Sequence, residues 1–113
     1  MNAHSAESFQ QSNIRRHLKM LNRWQGANAR LRELTSGHQS LRVELTQLER
    51  SGNLLISCIS PIYIEGPTYW SNSMIEISPA ILEDGTEGIM LRDLSANVKI
   101  LAETFEVAEN VRL

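Results

Sequence analysis

Leu54-Leu55-Ile56-Ser57-Cys58-Ile59 is a continuous apolar, β-branched run, the pattern of a strand buried on both faces. A strand of that kind needs neighbours, and the residues after it supply them. Ile62-Tyr63-Ile64-Glu65 follows Pro61, which cannot donate to a ladder and so predicts a break or bulge. Gly66-Pro67-Thr68 and Ser71-Asn72-Ser73 are turn chemistry bracketing Tyr69-Trp70. Met74 to Ser78 alternates, with Ile75 and Ile77 on one face, and Asp84-Gly85-Thr86-Glu87-Gly88 separates Ile81-Leu82 from Ile89-Met90-Leu91 as a hairpin does. Val98 to Val107 makes a last long strand. The reading is about five short strands in a small antiparallel sheet, one that could curl into a barrel.

The N-terminal third reads differently. Residues 12–35 contain no proline and one glycine and are dominated by Leu, Arg, Lys, Met, Gln, Ala and Glu, so helix is the favoured local state. Ser8-x-x-Gln11 has the form of a capping box, Ser12 is a second candidate cap, and Thr35-Ser36-Gly37 offers a stop. On a helical wheel the apolar residues Ile14, Leu18, Leu21, Trp24, Leu31 and Leu34 wrap around the axis, which predicts either a supercoil-like drift or a bend at Gly26. Residues 40–50 fit two templates. Leu41, Leu45 and Leu48 suit a helix, while Leu41, Val43 and Leu45 alternate with Arg42, Glu44 and Thr46 as in a strand. Residue propensity favours the second helix. The expected fold is therefore α+β, an N-terminal amphipathic helix or αα-hairpin followed by a small antiparallel sheet. A flexible segment 1–11, a basic helical element 12–50 and an acidic β region 51–113 together form one compact domain.

Charge follows the same division. Residues 1–42 carry seven cations and two acids, a net of +5, whereas 43–113 carry four cations and eleven acids, a net of −7. On the helical wheel Arg15, Arg16, Lys19, Arg23 and Arg30 fall within about 100° of one another, a ridge suited to phosphates or to an acidic protein surface. Leu18, Leu21, Trp24 and Leu31 form the facing candidate interface, and the aromatic turn at Tyr69-Trp70 is a second candidate anchor for a partner.

Catalytic and metal chemistry finds little support. Cys58 is the only cysteine, so no disulfide framework exists, and its apolar setting reads as a buried thiol. His4, His17 and His38 all precede the β region, and neither paired Cys-x-x-Cys nor a glycine-rich phosphate loop occurs. Met1 to Glu7 has no apolar signal-peptide core, and the longest uncharged run, residues 51–64, is interrupted by Gly52 and Pro61. The expectation is a cytoplasmic, non-catalytic, homo-oligomeric interaction protein with no cofactor, no metal and no membrane contact, its partner a protein or itself. The alternative is a nucleic-acid-binding regulator that uses the basic face.

Overall fold

The computed structural model describes residues 7–32 and 39–110. Helix α1 spans Phe9–Arg23 and precedes seven strands: β1 (Asn28–Arg32), β2 (Ser40–Gln47), β3 (Arg50–Glu65), β4 (Tyr69–Trp70), β5 (Glu76–Ile81), β6 (Glu87–Asp93) and β7 (Val98–Glu109). They form one antiparallel sheet in the order β4-β1-β2-β3-β7-β6-β5. The architecture is α+β and mostly sheet. The sheet has two ends, β4 and β5, and does not close into a five-stranded barrel.

The capping box forms as expected. Ser8 Oγ accepts from Gln11 N at 3.1 Å and Gln11 Oε1 accepts from Ser8 N at 3.0 Å, which satisfies two orphan donors and starts the helix inside the segment read as a flexible terminus. The helix then stops twelve residues short of the expected end. Trp24 is its C-cap, Gly26 has φ 82°, and the chain from Asn28 is a strand. Ala27, Ala29 and Leu31 alternate with Asn28, Arg30 and Arg32, and that period of two, together with pairing to β2, outweighs helical propensity. The stop at Thr35-Ser36-Gly37 lies outside the described residues.

Residues 40–47 are likewise a strand and not a second helix, so the αα-hairpin is replaced by a β-ribbon. Leu41, Val43 and Leu45 are all buried and pair with Cys58, Ile56 and Leu54. Burying three side chains on one face, each contributing roughly 1.5–3 kcal/mol, exceeds the few tenths per residue by which intrinsic propensity separates helix from strand.

The run Leu54–Ile59 lies in the centre of the sheet, between β2 and β7. Beyond it β3 kinks. Ser60 has φ 52°, and the register with β7 shifts between Pro61 and Tyr63, the bulge that Pro61 predicted. Across this point the inward face of β7 changes. Ala102 and Phe105 are an odd number of residues apart, yet both are in the core. The sheet thus turns a corner, and its two halves contribute to one core that includes Trp24, Val43, Ile56, Ile89, Leu91, Ile100 and Phe105. No helix among the described residues is long and apolar enough to cross a membrane.

Candidate functional site

Helix α1 binds the sheet through amides as well as apolar side chains. Strand β6 pairs with β7 only as far as Ala102, leaving the backbone edge of β7 beyond it without a strand. Gln10 Nε2 donates to Glu103 O at 3.0 Å and Asn13 Nδ2 to Phe105 O at 3.1 Å, so two helical amides take the place of a neighbouring strand's donors. His17 packs edge-on against Phe105, with its Nδ1 2.8 Å from Asn13 O.

Asp93 ties the two ends of the sheet together. It is fully buried; its Oδ2 accepts from Trp70 Nε1 at 2.9 Å and from Met74 N at 2.7 Å, and its Oδ1 accepts from Ser95 N at 3.1 Å and Ser95 Oγ at 2.7 Å. Burial pushes this carboxyl up, but the donors from Met74, Ser95, Trp70 and Ala96 outweigh it and hold it below its ordinary value. Gln25 adds a second clasp, accepting from Ile75 N and donating to Ile75 O. Asp93 is thereby committed to structure. The same holds for Cys58, which burial pushes up to about 12, so that it stays a thiol at neutral pH. Among the described residues no group of three or more His, Cys, Asp and Glu is placed to hold a metal ion.

Four of the five residues of the expected basic ridge stay together on one element and the fifth does not. Arg15, Arg16, Lys19 and Arg23 are exposed on α1, but Arg30 belongs to β1, where its guanidinium stacks on Tyr69 at 5.6 Å. Arg15 pairs with Glu7 at 2.6 Å, and the hydrogen bond from Arg15 holds the Glu7 carboxyl below its ordinary value. Arg23 pairs with Glu109 at 2.9 Å, while Arg16 donates to Asn13 Oδ1. The Glu109 carboxyl is also held low, first by the hydrogen bond from Trp24 Nε1 and then by Arg23.

The expected apolar interface is largely internal. Leu21, Trp24 and Trp70 are buried in this chain's own core, and Leu31 packs against that core from β1. Of that set, only Leu18 and Tyr69 are exposed.

The exposed apolar surface lies elsewhere, on the outer face of β3, β7, β6 and β5. Directly opposed residues in an antiparallel ladder share a face. Tyr63 opposes Leu101, Leu101 opposes Met90, and Met90 opposes Ser78, which makes one row across four strands. A second row runs Glu65, Lys99, Arg92, Glu76 by the same pairings. Glu103 lies two residues beyond Leu101 on the same face of β7. Leu101 and Met90 are not part of the core. Beside them Tyr63 is 45% exposed, while Ile62 and Ile81, 57% and 73% exposed, stand at the rim, Ile81 alternating away from Ser78 along β5. The groove here, of about 600 Å³, is lined by Ile62, Tyr63, Ile81, Leu82, Leu101 and the charged Lys99 and Glu103, among others. Leu82 folds over Gly88, where a Cβ would meet its methyls at 2.8 and 3.0 Å and Ala102 O at 2.4 Å. Lys99 leans over the Tyr63 ring at 5.9 Å, and the Tyr63 hydroxyl donates to Glu65, which raises the phenol above its ordinary value.

Sequence reasoning placed Tyr63 in the run that follows Pro61 but gave Leu101 and Met90 no role at the surface. The pleat of β7 carried the signal: Lys99, Leu101 and Glu103 alternate with the core residues Val98, Ile100 and Ala102. Comparison with protein-family models, curated proteins and solved structures finds no match to this chain.

Proposed function

We propose that this chain is a small, non-catalytic interaction protein that works as an oligomer, with the outer face of β3-β7-β6-β5 as its association surface. The observation that carries this reading is the apolar row Tyr63-Leu101-Met90, which stands outside the core and whose Tyr63 and Leu101 line one groove with the exposed Ile62 and Ile81. Contiguous exposed apolar surface rimmed by charge is the signature of an interaction site, whereas singly scattered apolar residues are not. Aromatic and methionine side chains are enriched at such surfaces. Asp93 is saturated with donors and Cys58 is buried, so neither belongs to this surface.

Sedimentation velocity over a range of protein concentration tests the reading. A concentration-dependent shift to a dimer or larger species is expected. A chain that stays monomeric at every concentration, and retains no protein partner through this face, refutes it. Labelled duplex, single-stranded DNA and RNA, titrated at about 50 and 200 mM salt, test the alternative. Tight binding that weakens steeply with salt would shift the functional surface to Arg15, Arg16, Lys19 and Arg23.

A further inference from the structure

The register of the outer face goes further and specifies the partner. Resting on the self-association reading, we infer that the occupant of this face is a second copy of the same chain, related by a two-fold axis lying along the row Tyr63-Leu101-Met90-Ser78. An axis in that position brings the two outer faces together with their strands antiparallel, so that each residue of the central row meets its own counterpart. Leu101 then lies on Leu101 of the other copy and Met90 on Met90, an apolar seam of the kind that forms the centre of an isologous interface.

The charges to either side decide between this axis and its competitor. On β7 the row is flanked by Lys99 on one side and Glu103 on the other, each two residues away and each exposed. The two-fold exchanges the flanks, so each Lys99 faces a Glu103 of the second copy, twice per dimer. An axis parallel to the strands and running between β7 and β6 would do the reverse. It would stack Lys99 on Arg92 and Glu65 on Glu76, because those residues share one row, and like charges brought together disfavour that arrangement. Complementary charge thus favours the axis along the row over the strand-parallel axis between β7 and β6. The interface closes on itself, which limits assembly to a dimer and leaves no open filament.

Two charge reversals, Lys99→Glu and Glu103→Lys, test the inference in this 113-residue chain. Each alone places like charges at both contacts, and the dimer is expected to weaken by at least about a hundredfold. Mixed in equal amounts the two variants restore opposite charges at both contacts, and a one-to-one heterodimer should form with near wild-type affinity. Circular dichroism of each variant checks that the monomer is folded, and native mass spectrometry of the mixture reads out its composition. Variants that dimerise singly as well as wild type, or a mixture that stays monomeric, overturn this geometry while leaving self-association intact. A wild-type chain that never dimerises overturns both.

Discussion

Replacing Asp93 by Asn changes one atom of the side chain and removes one charge, and the structure allows its effect to be worked out. Beside the Ala96 backbone donor, the carboxylate accepts four hydrogen bonds from Trp70, Met74 and Ser95, two on each oxygen. An amide keeps one oxygen, which turns to Trp70 Nε1 and Met74 N, the more deeply buried pair of donors, while its NH2 faces Ser95. The Ser95 hydroxyl is at the surface and rotates to water, but Ser95 N is left without an acceptor. Hydrogen bonds to a charged group contribute about 1.5–3 kcal/mol and neutral ones about 0.5–1.5, so Trp70 and Met74 each lose roughly 1 kcal/mol. Adding about 1 kcal/mol for Ser95 N brings the loss to about 3 kcal/mol, or a fall in Tm of roughly 10–15 °C. Urea unfolding followed by tryptophan fluorescence measures it.

The pH dependence carries a sign. Asp93 has a folded pKa below its ordinary value of 3.8, so its contribution is fully present above that value and is lost as pH falls through the folded pKa. The gap between wild type and Asp93→Asn is therefore widest near neutrality and narrows below about pH 4. A loss smaller than about 1 kcal/mol at pH 7, with an unchanged denaturant slope, would show that these four contacts do not hold the sheet ends together.

Two further outcomes follow from the same reasoning. Asn13→Ala should cost about 1–3 kcal/mol by leaving Phe105 O without its donor, and amide exchange should speed up locally in residues 103–107 while β2 and β6 stay protected. Uniform exchange across the sheet would contradict the local role of α1. Cys58, buried and held protonated, should react with an aromatic disulfide reagent only on global unfolding, so its rate should track urea concentration. Prompt labelling of the native protein at pH 7–8 would refute that burial.

Much of the fold can be read from residue order where one signal acts alone. Leu54–Ile59 is the central strand, Asp84-Gly85-Thr86 is the turn, with Thr86 N and Oγ bonded to Asp84 Oδ1, and Ser8 with Gln11 caps the helix. Errors arose where two periods coexist. Residues 27–32 and 40–47 have helix-forming compositions, yet they alternate with a period of two, and the pairing partner that decides the matter lies on another strand. The wrapping of apolar residues around the wheel was itself the sign of a helix that had ended, since Ala27 and Leu31 never lay on its face. The same error assembled the basic ridge with Arg30 as a member. Leu101 and Met90 were given no role at the surface because a surface row across four strands exists only after register is set.

The placement of β3 and β7 has a consequence for how the chain is made. The strand at the centre of the sheet, Arg50–Glu65, takes as one of its two neighbours a strand synthesised much later, Val98–Glu109, and helix α1 fastens to that same strand through contacts 92 and 93 residues apart. During translation the apolar edge of Leu54–Ile59 thus waits for its partners Thr104–Glu109, about 45 to 55 residues later, roughly 2–11 s at about 5–20 residues per second. In that interval neither the helix nor the sheet can be finished. Folding is held until β7 emerges, and a chain truncated before β7 would offer an unpaired strand to whatever it meets first.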